Sequence, residues 1–161
     1  MSTISVLFVC LGNICRSPTA HGVFQFMVDK QALGHKINVD SAGTGDWHLG
    51  RGPDTRALQH AAQRGYDMND LRARLVTAED FYQFDYILAM DRQNFNNLRA
   101  IQPQNTDCDL RLFLDFSQNP EFSEYQEVPD PYYGGDSGFN LVLDLVEDAS
   151  VGLLEHIKQN L

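Results

Sequence analysis

Apolar positions along the chain change their period from segment to segment, and those changes predict an alternation of strands and helices. Ile4-Ser5-Val6-Leu7-Phe8-Val9 is a nearly continuous run of β-formers, the pattern of a strand buried on both faces. After a short loop, Ala20, Val23, Phe24, Met27 and Val28 recur at helical spacing, with Leu33-Gly34 as the predicted stop. Residues 37–41 read as a second strand, and residues 54–64 as a helix ending at Gly65. Tyr86-Ile87-Leu88-Ala89-Met90 reads as a third strand and Leu110-Arg111-Leu112-Phe113-Leu114 as a fourth. Val142, Leu145, Val146, Ala149, Leu153 and Ile157 mark one face of a long closing helix. Strands alternating with helices require crossover connections, hence an α/β fold: a single domain over residues 1–161 whose parallel sheet is covered on both faces. Sites in such sheets form beyond the carboxyl ends of strands, here the loops after Val9, Ser41 and Met90.

The chain has 161 residues, enough for one ordinary core. Its 12 basic and 22 acidic residues leave a net charge of −10, which disfavours nucleic acid and anionic membrane surfaces as partners. No run approaches the roughly 18 apolar residues of a membrane span, and the start lacks the pattern of a signal peptide. Cys10, Cys15 and Cys108 are too few, and odd in number, for a disulfide framework. These features predict a cytoplasmic protein with reduced thiols, in which a functional cysteine is a nucleophile, redox sensor or ligand.

The chemistry concentrates after the first strand, in Cys10-Leu11-Gly12-Asn13-Ile14-Cys15-Arg16-Ser17-Pro18. Pro18 suits the first helical position and makes Ser17 the predicted N-cap. Ala20 stands where a capping box needs Glu or Gln, so the free N–H groups face the loop. A loop of this length, with Gly12 and Asn13 able to turn left-handed, can curl its amides around one point. The helix terminus and a bidentate Arg16 complete a cradle for a tetrahedral dianion. Cys10 at its base, favoured as thiolate by the same groups, is placed for in-line attack on phosphorus. Taken alone, a Cys-x5-Arg pair is more often a packed thiol and a solvated arginine. The ordered strand, Gly-Asn loop, serine, proline and helix argue for a site. Zinc at Cys10 and Cys15 would need two further ligands from Cys108 or scattered histidines. No Gly-Lys-Ser/Thr ends the loop, and the glycines at 43, 45, 50 and 52 complete no dinucleotide fingerprint.

Residues 6–18 resemble the phosphate-binding signature of the low-molecular-weight protein tyrosine phosphatases. Asp40-Ser41-Ala42-Gly43-Thr44, Phe84 to Asp91 and Asp130-Pro131-Tyr132-Tyr133-Gly134 resemble three further segments of that family, in order. The resemblance covers essentially the whole chain. It implies a four-stranded parallel sheet and a cofactor-free, metal-free, two-step hydrolysis of phosphotyrosine proteins by a monomer with at most weak self-association. In that reading Cys10 is the nucleophile, Arg16 stabilises the equatorial oxygens, and Ser17 supports the thiolate. Leu11, Gly12, Asn13, Ile14, Cys15 and Ser17 bind the phosphate, Asn13 shapes the loop, and Ser41 and Asp91 give structural support. Asp130 is the general acid: phenolate leaves poorly unless protonated, and one carboxyl can serve both steps if it enters the first protonated. Trp47 and Tyr132, with Tyr133 beside the acid, wall a slot for an aryl ring, and Asp46, His48, Leu49 and Arg51 rim it.

Cys15 is implied as a reversible disulfide partner protecting Cys10, while Cys108 packs or is free. One departure stands out: Leu71 occupies the place of a histidine that some members link to the Asn and Ser of the loop, so the bracing of Asn13 by Ser41 loses a member. Two other readings remain. An arsenate reductase on this fold needs relay cysteines after the third strand, where residues 91–107 hold none and Cys108 follows alone. A non-catalytic phosphotyrosine-binding module or a phosphocarrier has no use for an acid such as Asp130.

Overall fold

A computed structural model describes residues 3–132 and 135–161, so Tyr133 and Gly134 of the predicted acid loop lie outside the described residues. Strands β1 (Ile4–Cys10), β2 (Ile37–Gly43), β3 (Tyr86–Ala89) and β4 (Asp109–Leu112) form one parallel sheet in the order β2-β1-β3-β4. Helices α1 (Arg16–Lys30), α2 (Thr55–Gln63), α3 (Asp80–Gln83), α4 (Arg92–Ile101) and α5 (Asp136–Lys158) complete the α/β architecture. The strand order reverses beside β1, so the crevice beyond its carboxyl end is the topological switch point of the sheet.

The apolar run of β1 is explained by its position between two cores. Val6, Phe8 and Cys10 point into one, with Val23 and Phe24 of α1 and Val142 and Val146 of α5. Leu7 and Val9 point into the other, with Phe81 of α3 and Leu98 of α4. Both faces of the sheet are therefore covered. Phe8 meets Phe24 and Phe113 edge-on, with ring centroids 5.7 and 5.0 Å apart. These contacts lock the strand that carries Cys10 against the helix that carries Arg16.

Several boundaries differ from the sequence expectation. β2 continues to Gly43, opposite Cys10 in the ladder. β4 stops at Leu112, and Phe113–Phe116 close into a 3₁₀ turn that sends Phe113 and Leu114 into the core. Helix α1 begins at Arg16 with Cys15 as a cap lacking any side-chain hydrogen bond, so Ser17 is not the N-cap and Pro18 is the third helical residue. At its other end Ala32, not Gly34, takes the left-handed conformation (φ 58°). Helix α2 has the expected limits: Asp54 caps it by accepting the Arg56 N–H at 2.8 Å, and Gly65 follows its end at φ 90°.

Gly152, inside α5, shows why this helix lies so close to the 3₁₀ turn. A Cβ there would fall 1.9 Å from the Phe116 carbonyl oxygen and 3.0 Å from its carbon. Gly→Ala in a helix interior ordinarily gains about 1 kcal/mol. Here the backbone must move, and Gly152→Ala is expected to destabilise the fold by about 1–3 kcal/mol in urea unfolding. A gain in stability would refute the close packing.

Candidate active site

The loop between β1 and α1 is shaped by where its carbonyl groups go. The Cys10 C=O accepts the Thr44 N–H at 3.0 Å, Leu11 C=O the Gly45 N–H at 2.9 Å, and Ile14 C=O the Asp54 N–H at 2.8 Å. Cys15 C=O accepts the Thr19 N–H at 3.2 Å. With these carbonyls held outward, the planar peptides turn the following N–H groups, of residues 11, 12, 15 and 16, toward the hollow of the loop. Gly43 makes this seat possible. A Cβ on it would meet the Leu11 carbonyl oxygen at 2.8 Å and the Asn13 nitrogen at 3.2 Å.

Asn13 is the strained residue of the loop, at φ 56°. Three bonds hold it there. Its amide donates to Cys10 Sγ at 3.3 Å, its Nδ2 donates to Ser17 Oγ at 2.8 Å, and its Oδ1 accepts the Arg74 N–H at 3.1 Å. Ser17 Oγ, having accepted from Asn13, can give its own hydrogen to Cys10 Sγ, 3.0 Å away, or to the Ala42 carbonyl at 3.4 Å. Because Ser17 is inside the helix rather than capping it, its hydroxyl serves the sulfur. Asn13 and Ser17 are buried behind the loop and do not line the cavity. Both contact Cys10 Sγ instead, Ser17 through its hydroxyl and Asn13 through its backbone N–H.

Ser41 does not brace Asn13; its hydroxyl pairs with His21 Nδ1 at 3.0 Å. Burial keeps the His21 imidazole below its ordinary pKa, against an opposing pull from Asp40. Leu71 packs against the main core, and the backbone amide of Arg74 provides the bond to Asn13. Arg74 is itself fixed by ion pairs to Asp40 and Asp80 at 3.0 and 3.1 Å. The loop is thus braced without a histidine at position 71.

Arg16 is 3% exposed. One guanidinium nitrogen, Nη1, donates to Asp91 Oδ2 at 2.6 Å and to the Val128 carbonyl at 3.1 Å, while Nη2 lies 3.7 Å from Asp130 Oδ2. Burial opposes its charge, but Cys10, Asp91 and Asp130 more than offset this and hold it protonated. Asp91 also caps α4 through the Asn94 N–H at 2.7 Å, which fixes the carboxylate that aims Arg16. Asp130 Oδ1 accepts the Tyr132 N–H at 2.9 Å, leaving Oδ2 turned toward Arg16 and the cavity.

These groups surround a cavity of about 350 Å³. Cys10, Leu11, Gly12, Ile14, Cys15 and Arg16 form its floor, and Asp130, Tyr132, Trp47 and His48 its walls. Trp47 is 67% exposed and its ring lies across Gly45, where a Cβ would come within 1.9 Å. His48 packs against Gly12 and faces Tyr132, with ring centroids 6.4 Å apart. The slot therefore has His48 as a wall beside Trp47, whereas Asp46, Leu49 and Arg51 do not line it. Burial, with Asp54 next in weight, raises the pKa of the Cys15 thiol and keeps it protonated. Cys108 is remote from the cavity, and burial chiefly, with Asp109 and Asp85, pushes its thiol up to about 12. Among the described residues no cluster of His, Cys, Asp or Glu could hold a metal ion, and no helix is long and apolar enough to cross a membrane.

A cysteine beneath a ring of inward amides, a buried arginine above it and a carboxyl at the rim define the class of cysteine-dependent phosphate-ester hydrolases. The chain belongs to the low molecular weight phosphotyrosine protein phosphatase family, whose model matches residues 5–161. A low molecular weight phosphotyrosine protein phosphatase of Schizosaccharomyces pombe is 43% identical over 155 residues, 96% of this chain and 97% of that one. The crystal structure of a protein tyrosine phosphatase from Entamoeba histolytica with Hepes in the active site matches with a TM-score of 0.92 at 39% identity. It covers 98% of this chain and 99% of that one. YfkJ from Bacillus subtilis matches with a TM-score of 0.90 at 39% identity, covering 99% and 98%.

Proposed function

We propose that this chain hydrolyses phosphotyrosine in proteins, and small aryl phosphates, through a phosphocysteine intermediate. The observation that carries the reading is the placement of Cys10 Sγ, with Ser17 Oγ at 3.0 Å, at the floor of a cavity that Arg16 and Asp130 also line. The phosphate oxygens sit among the loop amides and Arg16, and the aryl ring rises between Tyr132 and the Trp47–His48 wall. In the first step Sγ attacks phosphorus, the P–O(aryl) bond breaks, and the departing oxygen takes its proton from Asp130. In the second, water attacks phosphorus, the S–P bond breaks, and Asp130 receives a proton from the water. Phosphoserine and phosphothreonine are too short to bring phosphorus to the floor.

In this reading the protein works in the cytoplasm as a monomer. Cys15 is the redox partner of Cys10: peroxide oxidises the Cys10 thiolate to the sulfenic acid, and the Cys15 thiol displaces water from it to give a disulfide. The phosphatase reading is favoured over an arsenate reductase because Cys108 lies away from the cavity, so no relay thiol from beyond the third strand reaches the site.

The test is acid quenching during turnover of a phosphotyrosine peptide in excess chelator. Turnover is expected to persist without metal, with a phosphoryl group trapped on the peptide containing Cys10. Turnover that stops on chelation, or a phosphoryl group trapped elsewhere, would sink this mechanism.

A further inference from the structure

Arg56, in the first turn of α2, is not among the residues lining the cavity, yet it joins the two loops between which the reaction takes place. Its Nη2 donates to the Tyr132 carbonyl at 2.8 Å, and the guanidinium lies over the Tyr132 ring at 5.6 Å and the Phe139 ring at 4.9 Å. On its other side Nε and Nη2 both reach the Asp54 carboxylate at 3.3 Å. Asp54 in turn donates its backbone N–H to the Ile14 carbonyl at 2.8 Å, the bond that turns that peptide of the phosphate loop outward.

A continuous path therefore runs from the phosphate loop to the acid: Ile14, Asp54, Arg56, the Tyr132 carbonyl, and the Tyr132 N–H that holds Asp130 Oδ1 at 2.9 Å. The Tyr132 peptide groups are gripped from both ends, by Arg56 through C=O and by Asp130 through N–H. This leaves Asp130 Oδ2 little freedom relative to Arg16. The first turn of α5 is seated on the same helix, with His60 stacked on Phe139 at 5.4 Å and 8°. Four contacts of one guanidinium exceed what capping α2 requires, since the Arg56 N–H already satisfies Asp54 Oδ1 at 2.8 Å.

We propose that Arg56 is a positioning residue that sets Asp130 over the leaving-group oxygen. This rests on the phosphatase reading above and refines it. Arg56 itself touches neither the phosphate nor the aryl oxygen. It acts when the S–P bond forms and the P–O(aryl) bond breaks, because the proton from Asp130 must meet the electron pair leaving on oxygen. A misplacement of about 1 Å in such a group costs up to about 100-fold. Esters whose leaving groups depart without a proton escape that cost.

The experiment compares kcat/KM for phenyl phosphate, whose leaving group needs the acid, with that for 2,4-dinitrophenyl phosphate, whose leaving group does not. Arg56→Met removes every side-chain donor, leaves the backbone N–H that Asp54 accepts, and keeps an apolar stem against Phe139. It is expected to lower the first by about 10- to 100-fold and the second by less than about threefold. Arg56→Lys keeps the charge toward Asp54 and one donor, and its selective loss is expected to fall between wild type and Arg56→Met. Equal losses on the two esters in a folded variant, or no loss on phenyl phosphate, overturn the proposal. If Arg56→Met melts below the assay temperature, Arg56→Lys is judged by the same criterion. Failure of the wild-type protein to hydrolyse either ester strikes at the phosphatase reading instead.

Discussion

Cys10→Ser is expected to abolish turnover of every phosphate ester, by at least about 10⁴-fold in kcat, while leaving phosphopeptide binding within about tenfold of wild type. The asymmetry follows from what each group contributes. The cradle is built from backbone amides, the buried Arg16 and the outward-held carbonyls of the loop; of these the Asn13 N–H bonds the sulfur, at 3.3 Å, and a serine oxygen can accept it instead. Binding should survive. Attack should not, because a serine hydroxyl must lose its proton in the transition state, and its neighbour Ser17 is no base. Asp130 is turned toward Arg16, and in the proposed mechanism it serves the leaving group, on the far side of the phosphorus from the attacking atom. The measurement is paired: steady-state hydrolysis of a phosphotyrosine peptide, and calorimetric binding of the same peptide to the variant. Residual hydrolysis within a hundredfold of wild type would place the nucleophile elsewhere.

Asp130→Asn is expected to lower kcat/KM for phenyl phosphate by about 10²- to 10⁴-fold, and for 2,4-dinitrophenyl phosphate far less. The amide oxygen can still accept the Tyr132 N–H, so the loop should keep its shape and the loss should report chemistry. A second consequence separates this variant from Arg56→Met. With the activated ester the first step remains fast, whereas water must attack the phosphocysteine without a base. The intermediate should therefore accumulate, giving a burst of dinitrophenolate that approaches one equivalent of enzyme. A loss that is the same for both esters, with no burst, would remove Asp130 from both steps.

The parts of this molecule legible in the sequence are those whose cause is local. The unbroken apolar run of β1 has few alternatives to a strand covered on both sides, and the loop after it carries its chemistry in consecutive residues. Helix α4 escaped because its stripe is thin: Phe95, Leu98 and Ile101 stand among Arg, Gln and Asn, and only Leu98 of the three is fully buried. The start of α1 differs from expectation because a serine next to a proline signals a cap, whereas the Ser17 hydroxyl is bound to Asn13 and Cys10. The pairing of Ser41 with His21 and the bond from the Arg74 amide to Asn13 are products of tertiary packing. No spacing rule connects residues 20 and 61 positions apart. The sequence places His48 only at the rim, since its approach to Gly12 depends on how the loop after β2 folds back.

The two bonds that aim Arg16 reach residues 75 and 112 positions further along the chain. During synthesis the cysteine and its loop leave the ribosome well before Asp91 and the Val128 carbonyl that orient the arginine. Contacts this distant form late, after the loop-closure entropy between them has been overcome. Until those residues emerge, a growing chain carries the nucleophile without a working phosphate site. Activity appears only when the sheet and its covering helices have closed, so recovery of turnover on refolding should coincide with recovery of the whole fold.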